Sequence, residues 1–310
     1  MRQARSVGDT AEMTATAAAA ADGRDRPAEA HRRALLAVAR RARGGPLDPA
    51  LRVTLNFHPD RAGPDGRPIL AALAEDGRYR SQFSTGTSNG GLTAHPGGDR
   101  WRWESRMFAG AYDSASAEQR PVYGALDFRR RVAGAAPRFG SSCLRLSAGT
   151  LGRTTFCYPD SVDEPTDFGT AERCALIEAA EADAAAGLRD PIDSYVEAHV
   201  HGPVRIDRDV EALVLDPAYR GTEVEEAARR LPCPVEWHPG YRLTVAELRR
   251  RPGFRGPRFV ELGAAIAVDG LLDPRIIGDA VRSGRYDPQD LKKVWHCLAR
   301  FGAPEPATRA

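Results

Sequence analysis

Lysine is almost missing from this chain: of 44 basic residues in 310, all but Lys292 and Lys293 are arginine. Against 42 acidic residues they leave a formal net charge of +2, so the molecule as a whole is not built to bind a polyanion. Cysteine is sparse as well. Cys143, Cys157, Cys174, Cys233 and Cys297 are odd in number, widely spaced and form no Cys-x-x-Cys pair. That argues against a disulfide framework or a structural zinc site and for a reducing compartment. No run of about 18 apolar residues exists, which excludes a membrane-spanning helix. Thr14 to Ala21 is too short and too weakly apolar for a signal-peptide core. The expectation is a cytoplasmic protein with no membrane contact.

With 42% of its residues hydrophobic, the chain can bury one large core or two small ones. Residues 1–26 lack periodicity and are expected to be disordered, as is a short tail at 304–310. Residues 27–45 read as a basic helix that opens at Pro27 and stops at Gly44-Gly45-Pro46. Its apolar stripe (Leu35, Leu36, Val38) is narrow, which suits a helix on the domain surface, its arginines a solvated face rather than a nucleic-acid arm. An α+β core is expected over 46–216 and a helical lobe packed on it over 217–303.

Within the core, Val53 to Phe57 is the first good strand, followed by a helix from Pro68 to Asp76 that Gly77 stops. Arg78 to Phe83 reads as extended and leads into Ser84-Thr85-Gly86-Thr87-Ser88-Asn89-Gly90-Gly91. Such a loop offers backbone N–H groups and small hydroxyls to an anion, though an ordinary polar turn has the same composition. Val122 to Phe128 is a further strand. Ser141 to Leu146 and Arg153 to Tyr158 look like an antiparallel pair, and a helix is expected from Thr170 as N-cap through Ala186.

The richest stretch is Tyr195-Val196-Glu197-Ala198-His199-Val200-His201-Gly202-Pro203-Val204. It alternates as a half-buried strand does, so Glu197, His199 and His201 share one face. It is expected to pair with Val210 to Leu215. A carboxylate and two imidazoles in one row are unusual on a sheet surface, and two readings of them differ. A His-x-His on a strand can share a metal ion, as at the start of amidohydrolases, with His58, Asp60, His95 or His238 completing the ligands. Only about 109 residues follow, too few for the (β/α)8 barrel which that motif opens. The His-Pro-Asp at residues 58–60 also echoes J-domain co-chaperones, but β-prone residues before it and Gly63-Pro64-Asp65-Gly66 after it rule out the two helices that motif joins.

The second reading rests on resemblance. A strand ending in His58, a helix ending in Gly77, a hydroxyl-rich loop and a late strand with Glu197 ahead of Val-x-Gly-x-Val resemble the ADP-ribosyltransferase superfamily. The run from Glu197 to Val210 is similar in spacing to that of its DNA-modifying toxins and of the RNA 2′-phosphotransferases. The resemblance implies a split β-sheet core with flanking helices, NAD as co-substrate and ADP-ribose transfer to an unknown acceptor. It makes Glu197 the catalytic residue, His58 a ribose contact and Ser84, Thr85 and Ser88 neighbours of the nicotinamide ribose or diphosphate. Tyr123 would stack on the nicotinamide. The residue two before Glu197, often Glu or Gln in that superfamily, is Tyr195 here. Asn56 to Arg61, Gly86 to Thr93, Tyr123 to Leu126 and Glu197 to Gly202 also resemble a bacterial family known only as a domain of unknown function. Under the metal reading, His199 and His201 would hold a divalent ion in a hydrolase; a non-catalytic binding protein is the third alternative. Cys143 and Cys157, in strands with no adjacent base, are not expected to act as nucleophiles.

Overall fold

A computed structural model describes residues 29–86 and 92–302. The expected disorder at 1–26 and 304–310, the start of the basic helix at Pro27 and the loop residue Ser88 lie outside the described residues. Eight strands form the central sheet: β1 (Val53–Phe57), β2 (Val122–Leu126), β3 (Ser142–Leu146), β4 (Thr154–Tyr158), β5 (Asp167–Thr170), β6 (Val196–Val200), β7 (Val210–Leu215) and β8 (Val235–Trp237). Their order is β8-β7-β3-β1-β2-β6-β4-β5, antiparallel except for β7 with β8. The fold is α+β, with helices flanking a mostly antiparallel sheet.

Register departs from expectation in three places. The Glu197 strand pairs with β2 and β4, not with Val210 to Leu215, which lies against β3. β3 and β4 are not partners either: β3 sits between β1 and β7, while β4 sits between β6 and β5. Nearest-neighbour pairing is only the commonest outcome, and the long connections here allow another. Thr170 ends β5, so the helix expected from it begins at Leu176. β6 itself is buried along its whole length, because helices cover both faces of the sheet.

The expected split sheet is one hydrogen-bonded sheet, but with a fork. β1 pairs with β2 only through Val53–Leu126 and Thr54–Ala125, whereas it follows β3 through four positions. Gly124 sits where the two strands part: a Cβ there would lie 2.7 Å from the Thr54 carbonyl oxygen, so only glycine lets the strands approach at the root of the fork.

Four helices of the described core pack around the sheet. α1 (Glu29–Ala39) lays His31, Ala34 and Val38 on the sheet; its Leu36 is exposed, so the contact stripe is not the one formed by the leucines. α2 (Ile69–Asp76) ends in a left-handed Gly77 whose N–H closes on the Leu73 carbonyl. α3 (Asp99–Met107) carries the two tryptophans, and α4 (Leu176–Ala185) follows β5.

The core runs further than residue 216. The helix Glu223–Ala228 packs into the main core and β8 extends the sheet, so the helical lobe begins near Tyr241. There α5 (Pro257–Ile266), α6 (Pro274–Arg282) and α7 (Pro288–Phe301) enclose Leu248, Leu272, Ile277, Trp295 and Leu298. Asp273 and Asp287 cap α6 and α7 through their side chains, with proline next in each case. Among the described residues no helix is long and apolar enough to cross a membrane.

Candidate active site

The fork between β1 and β2 opens into a cavity of about 550 Å³, within the range that small-molecule ligands occupy. His58 and Arg61, from the turn after β1, line it together with Tyr79, Gln82, Ser84, Thr85, Phe139 and Lys292; Tyr123 and the buried Arg100 and Glu197 complete the lining described here. Five residues singled out in the sequence, His58, Ser84, Thr85, Tyr123 and Glu197, therefore face one space. His199 and His201 do not line it.

Strand register explains that difference. Ala125 and Cys157 flank Glu197, while Tyr123 and Thr155 flank His199. The row Glu197, His199, His201 runs from the cavity floor into the protein: Glu197 keeps 6% exposure, His199 and His201 only 1% and 2%. Glu197 accepts from His199 Nε2 at 2.9 Å. Burial alone would raise its carboxyl, yet its pKa lies below the ordinary glutamate value, because the His199 hydrogen bond, the Arg100 charge and the Ser161 hydroxyl favour the anion. Arg100 in turn donates to Ser161 at 3.2 Å.

Tyr123 is differently engaged from the stacking platform expected of it. Arg100 lies over its ring, 4.2 Å from the centroid, and its hydroxyl donates to Glu104 at 3.1 Å. Glu104 is fully buried and bound to Arg120 at 2.7 Å; burial pushes its carboxyl up to about 7. The ring thus serves as a fixed wall. Ser84 and Thr85 also have partners: Ser84 Oγ meets Ser81 Oγ at 3.2 Å, and Thr85 Oγ1 donates to the Ser81 carbonyl at 3.2 Å. His58 is open. Its ring has no hydrogen bond among the described residues, it lies edge-on to Trp295 at 4.8 Å, and burial followed by the charges of Arg61, His296 and Lys292 holds it well below the ordinary histidine value, hence neutral.

The cavity is cationic. Arg67 and Arg80 are neutralised by Asp65, Glu75 and Asp76. Arg61, Arg78 and Lys292 line the same space and make no ion pair among the described residues. One guanidinium nitrogen of Arg61 is buried without a hydrogen-bond partner among the described residues, which costs stability unless an anion supplies the acceptor.

For a metal ion the suitable group is not the His-x-His pair. Cys157, Glu197 and His199 place ligand atoms within 4.8 Å of one another, and His201, His58, Asp60, His95 and His238 are outside that group. The expectation that Cys157 lacks a neighbouring base is corrected as well: its Sγ is 3.9 Å from His199 Nε2 and 3.8 Å from Glu197 Oε1. Burial and the Glu197 charge push the thiol well up, so it remains a donor and not a thiolate. Arg100, Lys292, Thr155 and Tyr112 escaped the sequence reading, because only long-range packing brings them here. The lysine pair, alone in an arginine-rich chain, was the one available signal.

Fold and site together define an α+β protein with a glutamate-floored, cationic cavity in the fork of its sheet. Residues 52–187 and 181–301 match the family model described as Protein of unknown function (DUF3626), and the chain belongs to that family. No curated protein matches it.

Proposed function

We propose that the cavity binds NAD and that the protein is an ADP-ribosyltransferase-like enzyme, with Glu197 the catalytic residue. The observation that carries this reading is the position of Glu197. An ionised carboxylate is fixed in a cavity that also presents three cations, Arg61, Arg78 and Lys292, that make no ion pair among the described residues. A dinucleotide matches both features. Its diphosphate suits Arg61, Arg78 and Lys292, since guanidinium and ammonium groups bind phosphate oxygens by charge-assisted hydrogen bonds. His58, neutral and with no hydrogen bond among the described residues, is available to a ribose hydroxyl. As the bond from ribose C1′ to nicotinamide breaks, its electron pair leaves with nicotinamide and positive charge develops on the sugar. Glu197 is preplaced to stabilise that charge. An acceptor nucleophile then bonds to C1′ and loses its proton. The fork in the sheet supports the split-core likeness.

NAD should raise the melting temperature, and the protein should release nicotinamide from it. Glu197→Gln should keep NAD binding while release falls about 100- to 1,000-fold, the usual cost of removing one preplaced electrostatic group. Unchanged turnover in that variant, or no thermal shift with NAD, would sink the reading.

One observation favours a second reading, a metal-dependent hydrolase: the Cys157, Glu197 and His199 cluster. Stoichiometric zinc in the purified protein, lost in Cys157→Ser, would support it.

A further inference from the structure

We propose that Tyr112, His201, Thr155 and His199 form a one-way chain of hydrogen bonds that holds Glu197 anionic and aimed at the cavity, which makes them positioning residues. This rests on the reading of Glu197 as the working carboxylate. The links are short and continuous. Tyr112 OH meets His201 Nδ1 at 2.6 Å, His201 Nε2 meets Thr155 Oγ1 at 2.9 Å, Thr155 Oγ1 meets His199 Nδ1 at 3.2 Å, and His199 Nε2 meets Glu197 Oε1 at 2.9 Å.

The direction follows from counting protons. An ionised Glu197 only accepts, so His199 carries its proton on Nε2. If His199 is neutral, its Nδ1 accepts, and the single proton of Thr155 points to it. Thr155 must then accept from His201 Nε2–H, which leaves His201 Nδ1 to accept from Tyr112. Every donor is satisfied and each points toward Glu197. The competing arrangement makes His199 an imidazolium and reverses the other links. Tyr112 would then accept from His201, and its own hydroxyl proton would have no acceptor among the described residues in a site where Tyr112 is fully buried. A stranded buried donor carries the full desolvation penalty, so the one-way arrangement prevails.

The surroundings fit an orienting device and not a proton conduit. Phe108 seals the chain edge-on at 5.4 Å from His199 and 5.2 Å from His201. Tyr112 lies parallel to His201 with centroids 5.9 Å apart. With its head closed to solvent, the chain has nothing to replace a proton passed to Glu197. It also accounts for the His-x-His spacing: Thr155 stands opposite His199, so residues 199 and 201 are the two that its hydroxyl can bridge.

Two experiments on the full chain test this. Nitrogen-15 histidine NMR should show His199 and His201 both neutral with the proton on Nε2; an Nδ1 tautomer or an imidazolium at either position overturns the proposal. Thr155 does not line the cavity, so Thr155→Val should lower kcat for nicotinamide release about tenfold with KM for NAD unchanged, the scale of one hydrogen bond serving a charge. Thr155→Ser should restore it. Equal loss in both variants, or none in Thr155→Val, overturns it. Should Thr155→Val fail to fold, Tyr112→Phe replaces it, with the same kcat loss expected and no loss overturning. A wild-type protein without NAD turnover defeats the functional reading alone, and the NMR result then decides the chain by itself.

Discussion

Gly278 sits inside α6, where alanine is ordinarily the better residue by up to about 1 kcal/mol. The structure expects the opposite sign here. A Cβ at Gly278 would lie 1.6 Å from Asp60 Oδ2 and 2.7 Å from its Cγ, where ordinary contact begins at about 3.4 Å. Asp60 has little room to retreat: its side chain is 1% exposed and held by Arg282, which approaches it at 3.4 Å and also donates to its carbonyl oxygen at 3.1 Å. Overpacking of this kind costs roughly 1–3 kcal/mol, so Gly278→Ala should destabilise by about 1–2 kcal/mol after the propensity gain. At about 2–4 °C per kcal/mol for chains somewhat shorter than this one, the melting temperature should fall by several degrees. Urea unfolding followed by circular dichroism gives the free energy directly. The control is Asp60→Ala: in that background the clash is gone, and Gly278→Ala should be neutral or stabilising, a coupling of about 1–3 kcal/mol. A Gly278→Ala protein at or above the wild-type midpoint would refute the reasoning. Because Asp60 neighbours Arg61 and follows His58 by two residues, the same substitution should weaken NAD binding.

Other perturbations have equally definite outcomes. Glu104 has its carboxyl raised to about 7 from a usual 4.5, chiefly by burial; the folded protein binds the extra proton, so stability should decline as pH rises between those values. Glu104→Gln should flatten that slope in pH-dependent unfolding. Trp295→Phe removes the donor to the Pro137 carbonyl at 2.9 Å in a fully buried site; a loss of about 1–3 kcal/mol is expected, read by denaturant midpoint. Lys292→Gln should weaken NAD binding in calorimetry while leaving the melting temperature of the free protein within a degree or two, since Lys292 makes no ion pair among the described residues.

Local chemistry was legible and long-range pairing was not. Gly77 as a left-handed stop, the proline-led starts of α6 and α7 and the alternation that puts Glu197 and His199 on one face are all decided within a few residues of sequence. That His58, Ser84, Thr85, Tyr123 and Glu197 share a cavity was an implication of likeness, not of any local pattern. Ser141 to Leu146 and Arg153 to Tyr158 are each good strands with a turn-like link, and nothing in their composition says that other partners win. Those partners decide the chemistry. Because β4 lies beside β6, Thr155 and Cys157 meet the imidazole and the carboxylate, and a row that read as metal ligands becomes a hydrogen-bonded support. The arginines were hard to sort for a similar reason: Arg67 and Arg80 are neutralised by partners, whereas Arg61, a few residues away, makes no ion pair among the described residues.

The cavity takes His58 from the turn after the first strand and Lys292 from α7 of the lobe, with Trp295 bracing His58 one turn along. During synthesis the sheet can therefore assemble well before the pocket exists. Only when the segment around residue 292 has left the ribosome and docked does the cavity acquire Lys292. A chain that ends between the sheet and α7 would therefore lack Lys292 and Trp295 at this cavity.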